Sequence, residues 1–265
     1  MAKRRLPVNA ALWKGLPMAK RRKAKQRDAR HPRLWGRHAV EAALANPARR
    51  FRKIWATHEA LAELDMPEGL PVEIAGVQDL ARHVPHDAPH QGIVAEVEPL
   101  EDIAIEDLLD GAADGRPLVV LDQVTDPHNA GAIMRSAVAF DALGIVTQDR
   151  HAPPESGALA KAASGALEIL PWCRVVNLSR ALDQMADAGF WRIGLAGETD
   201  MTIGEALGPA KVALVLGAEG EGLRPNVAQH CDALARLPIS DRMESLNVSN
   251  AAAIALYAAR EGNGS

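Results

Sequence analysis

The chain has 265 residues, enough for one large domain or two ordinary ones with a buried core. With 48% apolar and 24% charged residues it has the composition of a globular protein, and no apolar run approaches the ~18 residues that a membrane span requires. The only two cysteines, Cys173 and Cys231, stand far apart and outside any CxxC spacing. This favours a reduced, cytoplasmic protein and disfavours structural zinc.

Charge is distributed unevenly along the chain. Residues 1–30 contain eleven lysines and arginines against one acid, Asp28, so residues 31–265 must carry −14 to give the total of −4. We predict a basic arm without fixed structure over residues 1–32. Such an arm on an acidic body suits a polyanionic partner, whose phosphates it would contact regardless of sequence. A solvated tail without a partner and an organelle transit peptide are the alternatives.

A small α/β domain is predicted over residues 33–98. Apolar spacing and a terminal Asn46-Pro47 indicate that its first element is a helix. Two further helices alternate with the strands that follow. The predicted strands are residues 52–57, 72–75 and 92–97, and the predicted helices are residues 34–47, 58–64 and 77–83.

Residues 99–116, acidic and then glycine-rich, predict a linker with a short helix at residues 103–109. From residue 117 onward, strands and helices alternate regularly, which predicts a mostly parallel sheet covered on both faces. The predicted strands are residues 118–121, 144–147, 191–195, 212–216 and 233–237, and the predicted helices are residues 130–140, 157–163, 178–188 and 248–261.

Three polar stretches each follow a predicted strand of this second region. They are residues 122–135 (DQVTDPHNAGAIMR), 216–223 (LGAEGEGL) and 237–250 (LPISDRMESLNVSN). In an open α/β sheet, ligands bind at the carboxyl ends of strands. The three stretches therefore predict one shared site.

In the first stretch, Asp126-Pro127 is a helix start signal, with proline tolerated in the first turn. Asn129 then lies at the helix entrance, where free N–H groups favour an anion such as phosphate. Arg135 is the only cation on the predicted helix. Taken alone, the stretch is also explained by a capping asparagine and a surface arginine.

The second stretch combines glycines with acids. Its glycines permit positive φ and close approach of backbone to a ligand, but they match neither GxGxxG nor a Walker A loop. Glu219 and Glu221 argue against a phosphate ligand and favour a cationic or hydroxyl-bearing one. In the third stretch, Ser245 is the expected N-cap of the last helix, and Asn247, Ser249 and Asn250 add more polar groups than capping needs.

Other catalytic constellations are weak in this sequence. His83, His86 and His90 are spaced as if for a metal, but two prolines interrupt any helix there and no further ligand completes a cage. We therefore predict no metal. Neither a Ser-His-Asp arrangement with recognisable motifs nor a GxSxG nucleophile elbow is present.

In this order and spacing, the three stretches resemble the SpoU (TrmH-like) RNA ribose 2′-O-methyltransferases of the SPOUT superfamily over residues 117–262, which predicts a methyltransferase domain over residues 117–265. Residues 33–98, with LWGRHAVEAAL and HQGIVAEV, resemble the L30e-like substrate-binding domain of that family. The appended domain and GAEGEGL make the bacterial enzymes that methylate a guanosine 2′-OH of 23S ribosomal RNA the nearest subgroup.

The resemblance implies an α/β trefoil knot, S-adenosylmethionine as methyl donor, RNA as partner and a homodimeric site. By motif, Asn129, Arg135, Glu219, Ser245 and Asn247 carry over as catalytic residues. The cofactor is expected to contact the backbone of Ala196, Gly197, Leu216, Gly217, Leu237, Ile239 and Leu246. One departure is Asp241, because the family usually has a glycine three residues after the proline of its third motif.

Several alternatives stay open at this stage. The chain could be a non-catalytic RNA-binding protein, or a nucleotide-dependent enzyme that uses the glycine loop. Transfer RNA is the alternative substrate for a methyltransferase. The family account lets Arg135 act as base, but a guanidinium stays protonated in proteins. We expect Arg135 instead to grip the adjacent phosphate and stabilise the emerging alkoxide.

Overall fold

The computed structural model describes residues 31–112, 115–208 and 211–262. All but the last two residues of the predicted basic arm lie outside these ranges. Two β-sheets with their helices make up the described chain. No helix within these ranges combines the length and hydropathy needed to span a bilayer.

The first sheet has four strands and lies in the N-terminal part of the chain. Its elements are β1 (Arg33–Trp35), α1 (Arg37–Ala45), β2 (Phe51–Ala56), α2 (His58–Ala62), β3 (Val72–Ile74), α3 (Val77–Ala81) and β4 (Ile93–Val97). The spatial order is β1-β4-β2-β3, in which β4 runs antiparallel to both neighbours and β3 runs parallel to β2.

The predicted helix over residues 34–47 is wrong at its start. Leu34 pairs with Ala95 in β1, and Gly36, at φ 86°, separates that strand from α1. A three-residue strand is too short to show a period of two, and its partner lies far away in the sequence. The apolar pattern alone therefore merged it with the helix.

The second sheet has six strands and follows in the chain. The helix α4 (Ile105–Asp110) precedes this sheet. The strands and helices of the second region are β5 (Leu118–Leu121), α5 (Pro127–Ala139), β6 (Gly144–Gln148), α6 (Gly157–Ala163), β7 (Trp172–Val175), α7 (Leu178–Asp187), β8 (Phe190–Leu195), α8 (Ile203–Ala206), β9 (Lys211–Leu216), α9 (Pro225–Ala228), β10 (Ala233–Ala235) and α10 (Val248–Gly262).

All six strands of this sheet are parallel, in the order β10-β8-β9-β5-β6-β7. The expected mostly parallel α/β sheet is confirmed. Successive residues of β5 point to opposite faces, so Val119 and Leu121 pack with α5, α6 and α10, whereas Leu118 and Val120 pack with α4 and α7. Burial on both faces explains why these strands read as continuous apolar runs.

Helix α6 joins the two sheets. A Cβ on Gly157, its first residue, would lie 2.0 Å from ring atoms of Trp35, so only glycine permits this approach. Beside it, the fully buried Arg49 side chain pairs with Glu168 at 2.6 Å and with Glu155. Burial alone would lower the pKa of Arg49, but the charges of the two carboxylates raise it, so the guanidinium stays charged.

Candidate active site

A cavity of about 410 Å³ opens at the carboxyl ends of three neighbouring strands. Its floor includes Leu195, Leu216 and Ala235, the last residues of β8, β9 and β10. Its walls come from the loops that follow β8, β9 and β10. A parallel sheet offers ligand crevices at this edge.

The structure gathers most of the predicted site residues around this cavity. Two of the expected catalytic residues, Glu219 and Ser245, line it. All seven positions expected to contact the cofactor also line it: Ala196, Gly197, Leu216, Gly217, Leu237, Ile239 and Leu246. They come from three loops that are separated in the sequence, so only the parallel sheet brings them together.

The loop after β9 folds back tightly on itself. Ala218 and Gly222 exchange backbone hydrogen bonds of 3.1 and 2.9 Å. Gly217 lies against this closure, because a Cβ there would come within 2.0 Å of the backbone carbon of Gly222. Gly220 adopts φ 84° at the tip of the loop. The glycine pattern therefore builds a compact backbone wall for the cavity.

A buried carboxylate anchors the far end of the same loop. Asp122, at the end of β5, is fully buried. It accepts hydrogen bonds from the backbone N–H of Arg224 at 3.0 Å and from its Nε at 2.7 Å. Asp122 was not predicted as a site residue, although an acid directly after the apolar run LVVL was an available signal.

A chain of side-chain hydrogen bonds runs to the cavity wall. Ser249 donates through its hydroxyl and its backbone N–H to Oδ1 of Asn247, at 2.6 and 2.9 Å. The Nδ2 of Asn247 therefore faces Asn129 and donates to its Oδ1 at 3.0 Å. The Nδ2 of Asn129 in turn donates to Oε2 of Glu219 at 3.1 Å. Each amide is oriented by its neighbour, and the chain ends on a carboxylate in the cavity wall.

This geometry decides between the two readings of Asn129 and corrects the expected cap of the last helix. Asp126, not Asn129, caps α5, because its side chain accepts from the backbone N–H groups of His128 and Asn129. Asn247, not Ser245, caps α10, because Asn247 accepts from Ser249 N–H. The Ser245 side chain is thus left exposed at the cavity.

Arg135 is not brought to this chain of hydrogen bonds. It lies six residues after Asn129 on α5, and at about 100° per residue this places it on a different side of the helix. Its side chain is exposed and has no hydrogen bond or ion pair with any described residue.

Two of the three histidines that are spaced as if for a metal have separate partners. His83 stacks on Trp55 with ring centroids 4.0 Å apart, and burial followed by the charge of Arg33 lowers its pKa. His90 accepts from the backbone N–H of Gly92. Among the described residues, no group of three or more histidines, cysteines or acids could hold a metal ion.

A parallel α/β sheet with a cavity walled by backbone at its strand ends defines an α/β protein with a small-ligand site. Comparison with known families assigns both parts of the chain. Residues 116–257 match the model of the SpoU rRNA Methylase family, and residues 33–103 match that of RNA 2′-O ribose methyltransferase substrate binding. The chain belongs to the SpoU rRNA methylase family.

Named relatives extend over most of the chain. The 23S rRNA (guanosine-2′-O-)-methyltransferase RlmB of Escherichia coli K12 is 38% identical over 239 residues, 85% of this chain and 96% of that protein. A Synechocystis protein named as an uncharacterized tRNA/rRNA methyltransferase is 38% identical over 84% of this chain, which spans 61% of that protein. The AdoMet-bound rRNA methyltransferase structure from Sinorhizobium meliloti is 25% identical, with TM-score 0.71 over 88% of each chain.

Proposed function

We propose that the protein transfers a methyl group from S-adenosylmethionine to a guanosine ribose 2′-oxygen of 23S ribosomal RNA in the cytoplasm. Relatives named for this reaction are 34–39% identical over 94–96% of their length. The observation that carries the proposal is the strand-end cavity, with the Asn129–Glu219 hydrogen bond at its wall.

The cavity suits this methyl donor. Its volume of about 410 Å³ falls within the roughly 300–1,000 Å³ of small-molecule sites. Leu216, Leu237 and Leu246 offer apolar surface for a nucleobase, and the backbone near Gly217 offers polar groups for specificity. S-adenosylmethionine supplies a methyl group already activated by its sulfonium, so the protein needs no covalent intermediate.

The protein's task is to orient the ribose and to manage one proton. Holding the 2′-oxygen in line with the methyl carbon accounts for much of the acceleration, since well-oriented groups gain about 7–11 kcal/mol. We assign this positioning to Asn129, Glu219, Ser245 and Asn247. Arg135 grips an RNA phosphate and stabilises the developing alkoxide, while the proton leaves through phosphate or water.

We propose a homodimer because Arg135 lies away from the cavity of its own chain. Helix α10 exposes 45% of Ile254 and 54% of Tyr257, and Tyr257 contacts Phe140 at the end of α5 edge-on. A second copy that covers this face would bury these apolar side chains. It would also lie next to α5, the helix that carries Arg135. We expect Tyr257→Glu to give monomers in light scattering and to reduce methylation; a monomeric wild type would contradict the dimer.

The basic arm supplies most of the phosphate attraction in this proposal. Residues 33–98 carry seven lysines and arginines against ten acids, a poor electrostatic match for RNA. We expect glutamines at Lys20, Arg21, Arg22, Lys23 and Lys25 to flatten the salt dependence of RNA binding, since each phosphate contact contributes a slope of roughly −0.7 to −0.9. If the salt dependence of RNA binding is unchanged, the arm makes no phosphate contacts.

The deciding experiment is methyl transfer to defined RNA. The protein is incubated with methyl-labelled S-adenosylmethionine and either 23S ribosomal RNA or transfer RNA, and modified nucleotides are mapped. We expect one guanosine of 23S RNA to be methylated, and Asn129→Ala to lose at least about a hundredfold in kcat while still binding RNA. Methylation of transfer RNA alone would favour the alternative substrate. Binding of both ligands without transfer would favour the non-catalytic RNA-binding alternative.

A further inference from the structure

The cavity wall carries an excess of negative charge. Three carboxylates line it, those of Glu219, Asp241 and Glu244, against one cation, Arg236. Glu219 is held by Asn129. Asp241 and Glu244 are exposed and have no hydrogen bond or ion pair with any residue that the structure describes.

The local backbone holds these two carboxylates at the cavity. They stand on the turn after β10, which is closed by a hydrogen bond of 3.0 Å from Met243 N–H to the carbonyl of Ser240. Arg242, between them in sequence, places its Nε 3.4 Å from the Ser240 hydroxyl and does not line the cavity. No cation of the turn therefore neutralises them. Asp241 also stands where the SpoU family usually has a glycine.

Charge distinguishes the methyl donor from its product. The sulfonium of S-adenosylmethionine is a cation, and the sulfur of S-adenosylhomocysteine is a neutral thioether. During transfer the carbon–sulfur bond breaks with its electron pair left on sulfur, the carbon–oxygen bond forms, and the 2′-hydroxyl proton departs. The positive charge thus leaves the cavity with the proton. Carboxylates in the wall attract the donor but not the product.

We infer that Asp241 and Glu244 make the cavity select the cationic donor over the neutral thioether product, which favours exchange after each turnover. The inference rests on the proposed function, since it takes S-adenosylmethionine as the ligand. Both carboxylates act through charge at a distance, so they are specificity-determining residues and make no contact with the reacting atoms.

The test compares three ligands that differ in charge at one position. Binding of S-adenosylmethionine, S-adenosylhomocysteine and sinefungin is measured by calorimetry for wild type and for the isosteric double variant Asp241→Asn/Glu244→Gln. Sinefungin carries an ammonium group near the place of the sulfonium but cannot donate a methyl. We expect both cationic ligands to bind about three- to tenfold more weakly to the variant, and the thioether to bind as before. High salt should shrink the difference.

A control variant and the other possible results distinguish a failure of charge selection from a failure of the proposed function. Asp110→Asn changes an exposed acid at the end of α4, which packs beside β7 at the opposite edge of the sheet from β10, and should alter no affinity. Equal losses for all three ligands would mean that the turn shapes the cavity and does not sense charge. Unchanged affinities would also overturn the inference. If wild type binds none of the three, the proposed function itself fails.

Discussion

Alanine at Gly217 tests whether the folded-back loop after β9 is what the methyl donor requires. The added Cβ would lie 2.0 Å from the Gly222 carbonyl carbon and 2.3 Å from the Leu223 nitrogen. Carbon contacts are normally about 3.5–4.0 Å, so the loop backbone must retreat by roughly 1.5 Å. The atoms in the way belong to the backbone and cannot rotate aside. The retreat separates Ala218 from Gly222.

The magnitude follows from these contacts. Two backbone hydrogen bonds are lost at about 0.5–1.5 kcal/mol each, and overpacking strain adds about 1–3 kcal/mol. If about 2 kcal/mol of this cost destabilises the loop conformation that binds the ligand, affinity for S-adenosylmethionine drops about thirtyfold, because about 1.4 kcal/mol corresponds to a factor of ten. Calorimetry measures the affinity, and thermal unfolding verifies that the variant is folded.

Two glycines provide matched controls. Gly204 lies in α8 with nothing within 4 Å of an added Cβ, so alanine there should leave affinity unchanged. Gly189 has φ 83° and open space, so Gly189→Ala should cost stability through left-handed strain, about 1–2 kcal/mol, without affecting the cavity. Wild-type affinity in a folded Gly217→Ala variant would refute the argument that close loop approach builds the site.

Three further predictions concern stability and reactivity. Arg49→Met leaves two buried carboxylates without their cation and should reduce the free energy of unfolding in urea by about 3–5 kcal/mol. A loss below about 1 kcal/mol would contradict the stabilising role of this buried ion pair. Burial raises the pKa of Cys173 to about 12 and that of Cys231 to about 11, so both thiols should resist iodoacetamide at pH 8 until the protein is unfolded, as mass spectrometry can show. Rapid labelling of native Cys173 would be inconsistent with its burial. The hydrogen bond from Arg192 lowers the pKa of Asp232, so the stability advantage of wild type over Asp232→Asn should be complete above the ordinary aspartate pKa of about 3.9 and vanish as the pH falls through the lower native value. An advantage that persists at lower pH would point to packing and not to charge.

Much of the second sheet could be predicted from the sequence. The bounds of β5 and α6 agree with prediction, and those of the other predicted strands and helices of this sheet differ by one to three residues. These elements are readable because parallel strands buried on both faces are apolar throughout, and the helices between them repeat every three to four residues. The loops could be recognised as a site because polar residues follow each apolar run.

Two edge strands, β1 and β7, were not predicted, and a third, β10, was predicted too long. β7 is an edge strand whose residues WCRV mix apolar and charged types, so its conformation is decided by pairing with β6. β1 depends likewise on β4, and β10 ends at Ala235, before the charged Arg236, although the predicted strand continues to Leu237. Hydrogen-bond partners distant in sequence decide these cases, and local patterns carry no information about them.

The residue types that face a ligand, namely the glycines, amides and acids after each apolar run, can be read from the amino-acid order. Which of these side chains contact each other follows from the three-dimensional packing alone. Asn129 meets Glu219 across 90 positions and Asp122 meets Arg224 across 102, whereas Arg135, only six positions from Asn129, stays apart. The reason is geometric, since parallel strands collect their carboxyl ends at one edge whatever their separation in the chain, while a helix turns neighbouring residues to different sides.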